Sequence, residues 1–320
     1  MPWPSFFLFG SVLLSGTNAV SGQEICADTL RILWWNVENA FDTLDDPLTR
    51  DEEFTPEGRK NWTSERYYRK LSHLAKGIRT ACKGGVPDFI GLCEIENGLV
   101  LDDLLVRLPW EWDLWACHQN SPDSRGIDVA ILYNHQRWRL DSLVFISAPD
   151  GQRSRDAVWT HFSEHAVDLG HSIQLLWLHL PSLRQPDERI RRAVLENALF
   201  HQKADMVLGD LNSHPDGPMG LWMNALGYQR VPGSPRWGTY AFGSKWSFLD
   251  HGWLQRDGSW EGKMEVIPFG INSKGVGIPS IKPTFYAGNY YGGASDHLPI
   301  SYLVWMRKAL PYIYTLKYTR

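Results

Sequence analysis

Short apolar runs that close on a carboxylate, an amide or an imidazole recur five times along this chain, and nothing else in it restricts the fold as tightly. Asn36 and Glu38 follow LRILWW, Glu94 and Glu96 lie in GLCEIEN, and His179 follows LLWL. Asp210 and Asn212 follow MVLG, while Asp296 and His297 precede LPI. Runs this short, rich in β-branched and aromatic residues and bounded by turn signals, read as buried strands. A polar residue at the end of such a strand is held by the sheet behind it. Several such ends meeting at one place would make a pocket on a rigid frame.

The remaining pattern is α/β. Residues 30–37 read as a first strand, and Thr63 or Ser64 can cap a helix whose positions Tyr67, Leu71, Leu74, Ala75 and Ile78 share a face. Pro87 opens DFIGLCEI, a second buried strand; residues 99–108 look helical, and residues 128–133 and 173–180 look like strands. Pro186 sits where a helix starts, with Ile190, Ala193, Val194 and Leu199 as its inner face. Further strands are expected at 205–209, 238–242, 247–254 and 298–305. With 320 residues, 43% of them hydrophobic, the chain can bury a full core. No repeat or linker divides it, so residues 28–306 read as one domain, and residues 307–320 form a basic, aromatic tail of no evident purpose.

Residues 6–14 (FFLFGSVLL) are apolar and are followed by small residues through Gly22, as in a signal peptide over residues 1–22. The usual positive flank is missing, and an untrimmed apolar tail is the alternative. The run is too short for a stable anchor, so no membrane span is expected in the mature chain. Export to the periplasm or the extracellular space also fits the even count of Cys26, Cys82, Cys93 and Cys117. Their spacing matches no zinc site, and Cys93, within an apolar run, reads as a buried thiol.

A net charge of −4 gives no general attraction to a polyanion. Arg184, Arg189, Arg191 and Arg192 crowd one stretch, either as a local basic patch or as a solvated helix face. The 16 tryptophans are spread along the whole chain and read as core and cleft wall rather than as a binding stripe.

The strand-end residues suit phosphoester hydrolysis. That reaction needs a Lewis acid for the developing charge, a group that orients or deprotonates water, and donors around the phosphate. Carboxylate and amide oxygens favour Mg²⁺ or Mn²⁺ over zinc. His297 can shuttle a proton or, once charged, stabilise the transition state, and Asp250 in SFLDHGWL is the natural carboxylate to hold it. Taken singly, Glu94, His179 or the Asp210–Asn212 turn would be ordinary structural features.

The ordered series WNVEN, GLCEIEN, RGIDVAILY, LHLPS, GDLNSHP, FLDH and SDHLPI resembles the endonuclease/exonuclease/phosphatase superfamily, whose members are deoxyribonuclease I-like. The segments AFDTLDDP, DEEFTPEGRKNWT and GTYAFGSKWSFLDH look like a bacterial, usually exported branch and lie outside the catalytic chemistry. The resemblance implies a four-layer α/β sandwich with two packed central β-sheets. It implies a metal site of Asn36 and Glu94 with Asp296 nearby, water activation by Asp210, and phosphate or water held by Asn212. It further implies His297, paired with Asp250, and His179 at the scissile phosphate, with a less fixed role for Glu38 near the metal. Arg125 and Arg189 match recurrent arginines of that branch, which would either contact the phosphate or form a structural ion pair, and Ser182 is expected at the substrate. Relatives in that branch commonly read Asn-His-Trp-Pro-Ser-Arg where this chain reads Leu178-His179-Leu180-Pro181-Ser182-Leu183, with Arg184 displaced by one.

The implied reaction is metal-dependent hydrolysis of a phosphoester, as a phosphodiesterase or endonuclease. The alternatives are a small-molecule or lipid phosphatase or phosphodiesterase, and a non-catalytic binding module. The partner expected is the phosphoester substrate itself, nucleic acid or a small phosphodiester or lipid headgroup, and no stable protein partner is inferred. A binding module would have no need to keep Glu94, Asp210, Asn212, Asp296 and His297 together.

Overall fold

A computed structural model describes residues 29–151, 153–166, 170–182, 188–233, 236–243, 245–272 and 280–307. The signal-peptide segment, Cys26, Leu183, Arg184, Pro186 and residues 308–320 lie outside the described residues. In chain order the sheet strands are β1 (Thr29–Ala40), β2 (Phe89–Ile95), β3 (Leu114–Cys117), β4 (Asp128–Asn134), β5 (Trp138–Ile146), β6 (Ala157–Glu164), β7 (Ser172–His179), β8 (Met206–Asp210), β9 (Tyr228–Arg230), β10 (Asp250–Gln255), β11 (Trp260–Val266) and β12 (Ile300–Met306). The helices are α1 (Ser64–Ala81), α2 (Gly98–Leu105), α3 (Glu188–His201) and α4 (Pro218–Ala225).

These strands build two six-stranded sheets, ordered β11-β12-β1-β2-β4-β3 and β5-β6-β7-β8-β10-β9. Each sheet has one parallel pair at its centre, β1 with β2 and β7 with β8, and the other pairings are antiparallel. A parallel pair needs a crossover, and α1 and α3 supply the two.

Strand alternation sorts the apolar residues into layers. Leu30, Ile32 and Trp34 of β1 join Trp177 of β7 and Leu208 of β8 in a core between the sheets, where Trp34 and Trp177 stack at 6.5 Å. Leu33, Trp35 and Val37 point the other way, against Leu71, Leu74 and Ile78 of α1. Leu176, Leu178 and Val207 cover the outer face of the second sheet under α3 and α4. The order is therefore helices, sheet, sheet, helices, the four-layer sandwich that the resemblance implies. Each fully buried large side chain contributes roughly 1.5–3 kcal/mol, and Trp34, Trp35, Trp138, Trp177 and Trp253 are all of that kind.

Several expectations need correction. Strands β3, β5, β6, β9 and β11 and helix α4 lie outside the elements expected from the sequence. The expected strand over 247–254 is broken after Ser247, and β10 begins at Asp250. Helix α3 buries Arg191, Val194, Leu195 and Ala198, a face rotated from Ile190, Ala193 and Leu199 because Arg191 turns inward. Arg191 bonds Glu188 at 2.6 Å and the Pro181 carbonyl at 3.3 Å, so it belongs neither to a basic patch nor to a solvated face. Cys82, Cys93 and Cys117 are buried free thiols. Among the described residues, no helix is long and apolar enough to cross a membrane.

Candidate functional site

The polar strand ends are the last rungs of the inter-sheet core. Asn36 continues the Leu30, Ile32, Trp34 face of β1; His179 continues Ile173, Leu175, Trp177 of β7; Asp210 continues Met206 and Leu208 of β8. Asn36, His179 and Asp210 stand at the C-terminal ends of strands from both parallel pairs, the usual place for a ligand in an α/β sheet. Glu94 breaks the pattern. Its even-numbered neighbours Ile90 and Leu92 face α1, so strict alternation would aim it outward. A positive φ of 65° at Glu94 and a register shift between Cys93 and Ile95 turn it toward the cleft instead. Bulges commonly re-aim a side chain this way. Glu38, Asn39 and Asn212 also have positive φ, so backbone strain concentrates at this end of the molecule.

The residues so placed make one network. Asn36 Nδ2 donates to Asp210 Oδ2 at 3.0 Å and, more weakly, to Glu94 Oε1 at 3.4 Å. The Asn36 Oδ1 accepts from Glu38 N at 3.0 Å, which fixes the amide orientation. The Asn39 N–H donates to Glu94 Oε2 at 2.9 Å, and the Asn212 N–H donates to Asp210 Oδ1 at 3.0 Å. His297 Nδ1 lies 2.6 Å from Asp250 Oδ2, while Trp34 Nε1 donates to Asp250 Oδ1 at 3.0 Å. The backbone of His297 is pinned to β1: Trp35 Nε1 donates to its carbonyl at 2.9 Å, and its N–H donates at 2.9 Å to Ser295 Oγ, which in turn donates to the Asn36 carbonyl at 2.7 Å. His179 Nε2 is 3.8 Å from both Glu94 Oε1 and Asp210 Oδ2, and His297 Nε2 is 3.9 Å from Asp210 Oδ2.

Charge states follow from these contacts. Burial pushes the His297 imidazole down, but the Asp250 charge and hydrogen bond, with Asp210 and Asp296, outweigh it and hold it well above the usual range, as an imidazolium. Burial and the Asp250 charge push Asp210 up to about 7, against His297, Asn36 and Asn212. Burial and then the carboxylates of Glu38 and Glu94 push Asp296 up to about 8, although His297 opposes them. Burial works against ionised Glu94, yet Arg125, Arg155, His297 and the Asn39 N–H hold its carboxyl below the usual range. Burial, Arg155 and Arg125 keep His179 neutral.

All but two of the expected residues line one cavity of about 630 Å³: Asn36, Glu94, Arg125, His179, Ser182, Asp210, Asn212, Asp296 and His297. Asp250 stands behind His297 rather than on the wall. Arg189 is exposed on α3 and is not among the lining residues. Glu38 lines the cleft but its oxygens accept from Thr284 N at 2.7 Å and Phe285 N at 2.9 Å, so it anchors a wall loop. Among the described residues no tryptophan lines the cavity; its aromatic wall is Phe41, Phe54, Tyr240, Phe242, Phe285 and Tyr286. Arg155 is a lining residue that sequence reasoning missed. Its guanidinium lies 3.3 Å from His179 Nδ1 and 3.2 Å from Nε2, flat against the ring because the two nitrogens point apart. It sits just before β6, and the only available signal was a polar residue at a strand start. The segments around Arg50 and Lys60, set apart from the chemistry on sequence grounds, also prove to be cleft wall.

Asp210, Asp250 and His297 offer ligand atoms within 4.8 Å of one another and could hold a metal ion. The profile of the Endonuclease/Exonuclease/phosphatase family matches residues 31–216, more than half of the chain. The chain belongs to that family. The family is named for endonuclease, exonuclease and phosphatase activities, all of them hydrolyses of phosphoesters. The fold is similar to that of the Bacteroides thetaiotaomicron mannosyl-6-phosphatase, with a TM-score of 0.58 and 14% identity over 86% of this chain and 99% of that one. It is also similar to beta toxin from Staphylococcus aureus with bound magnesium ions, at a TM-score of 0.57 and 15% identity over 87% and 99%. D. rerio TDP2 complexed with single strand DNA product gives a TM-score of 0.56 and 17% identity over 86% and 98%. A 75-residue stretch is 29% identical to the "Probable inorganic carbon transporter subunit DabA" of Hydrogenovibrio crunogenus, and this match spans 23% of this chain and 9% of that relative.

Proposed function

We propose that the chain is a Mg²⁺- or Mn²⁺-dependent phosphodiesterase, in which Asp210 activates water and the Asp250–His297 pair holds the scissile phosphate. The observation that carries this reading is the 2.6 Å contact that keeps His297 charged at the cavity floor, within 3.9 Å of Asp210. Asp210 Oδ2 takes the water proton as the new P–O bond forms and the bond to the leaving oxygen breaks; a base so placed contributes about 10²–10⁴-fold. Its carboxylate, pushed up to about 7, is matched to that task at neutral pH. His297 places positive charge on the phosphate, neutral His179 and Asn212 add donors, and Arg125 and Ser182 reach the substrate from the cleft wall. Arg189 would contribute only to a substrate that extends beyond the cleft.

The donor set fits a hard divalent cation. Glu94 and Asp296 present oxygens, with the Asn36 amide beside them facing the carboxylates through its Nδ2; burial and then neighbouring carboxylates push Asp296 up to about 8, and a cation would relieve the repulsion among them. The Asp210–Asp250–His297 group is the poorer holder, because both Asp250 oxygens and His297 Nδ1 are already engaged with Trp34 and with each other. A bound divalent ion would polarise the phosphoryl oxygen and offset developing charge. Purified protein is expected to cleave bis-p-nitrophenyl phosphate with Mg²⁺ or Mn²⁺, and Asp210→Asn to lose about 10²-fold or more. Undiminished turnover in EDTA would refute the metal assignment. The short apolar run over residues 6–14 supports export of the enzyme to the periplasm or beyond.

A further inference from the structure

The cleft extends beyond its reaction floor. At its outer end Arg59 and Lys60 face Ala287 and Gly288 across a lobe of about 340 Å³, and the same four residues also line the main cavity. Lys60 is held in place. Its Nζ lies 4.3 Å from the centre of the Phe285 ring and 5.6 Å from that of Phe54, while its backbone N–H donates to Glu53 O at 2.9 Å. Among the described residues, Lys60 has no carboxylate partner, and neither does Arg50 on the same wall; Arg59 is paired with Glu53. An ammonium fixed over aromatic faces and not neutralised by a carboxylate leaves its positive charge available to an incoming anion.

The opposite side of the lobe is kept open by its turn. Ala287 (φ 48°) and Gly288 (φ 82°) join the paired segments Phe285–Tyr286 and Asn289–Tyr290. Two successive positive-φ residues make a type I′ turn, for which Asn-Gly or Asp-Gly is the favoured sequence. Ala287 forgoes that preference and leaves the mouth without a polar side chain, and a Cβ on Gly288 would meet nothing within 4 Å.

We propose that this lobe is a subsite for a second phosphate, so that the preferred substrate is a phosphoester carrying another phosphate group beside the one attacked. The inference rests on the hydrolase reading above. Lys60 supplies the charge, Arg50 adds to the field, and the bare turn supplies the room.

The test compares kcat/KM, with Mg²⁺ present, for a dinucleotide with and without a terminal phosphate, and for an inositol bisphosphate against a monophosphate. Whichever pair shows the preference identifies the source of the second phosphate. Lys60→Met keeps the apolar stem over Phe285 and removes the charge, and the preference ratio is expected to fall about tenfold or more, as for loss of one bond to a charged group. Ala287→Asp and Ala287→Asn both suit the turn, so folding is preserved. Asp is expected to reduce the ratio well below that of Asn, because only Asp places a negative charge at the mouth. Turnover of these substrates with the same ratio in wild type and in all three variants overturns the subsite alone. Failure of the wild type to cleave either those substrates or bis-p-nitrophenyl phosphate overturns the hydrolase reading and the subsite with it.

Discussion

Asp250→Asn isolates the charge that governs His297. The substituted amide keeps the size of the carboxylate and can still accept from Trp34 Nε1, so the strand end retains its packing. What disappears is a negative charge bonded to His297 Nδ1 at 2.6 Å. A hydrogen bond to a charged group is worth roughly 1.5–3 kcal/mol, which at about 1.4 kcal/mol per pKa unit lowers the imidazole by about one to two units. Burial already works in that direction. Because His297 is raised in the folded protein, its contribution to stability is complete below the unfolded value of about 6.5 and is lost as pH rises through the folded value. The alkaline limb of kcat/KM for bis-p-nitrophenyl phosphate should therefore move down by about one to two units in the variant, read between about pH 5 and 10. The melting temperature should likewise begin to fall at lower pH than in wild type. The acid limb, set by ionisation of Asp210 near 7, should move less, since losing the repulsion of Asp250 and the attraction of charged His297 act in opposite senses. An alkaline limb that stays in place would refute the assignment of His297 as the charged group.

Arg155→Met removes the cation against His179, and the imidazole is expected to titrate closer to its ordinary value, seen as a new ionisation by NMR, with KM raised about tenfold or more. Lys70, buried and lowered to about 8, ties the Glu38 carbonyl to Thr284 Oγ1, each at 2.6 Å. Lys70→Met is expected to cost about 1–3 kcal/mol of stability through the acceptors left unpaired, measured by urea unfolding, and to loosen the Phe285 wall.

The core of this fold was legible because buried strands leave uninterrupted apolar runs, and α1 because Leu71, Leu74 and Ile78 repeat at helical spacing. Strand β5 was not, since its centre is half exposed and WRLDSLVFI alternates only loosely. The inward turn of Arg191 hid the true face of α3, because a cation inside is set by tertiary partners and not by periodicity. Glu94 was found by its neighbours in the run, yet period-two reading would have aimed it at the helices, and only the bulge corrects that. Arg155 and Lys60 lie in loops, where no repeat marks which side chains return to the cleft.

The terminal position of Asn36, His179 and Asp210 on their apolar columns has a mechanical corollary. Slipping any one of these strands by one residue against its neighbours would turn its whole column to the other face and carry its reactive group away, so the spacing of the site is guarded by the close packing of the core far from solvent. The outer turn at Ala287 and Gly288 hangs from no such column, which leaves natural variation free to retune what enters while the chemistry beneath stays in register.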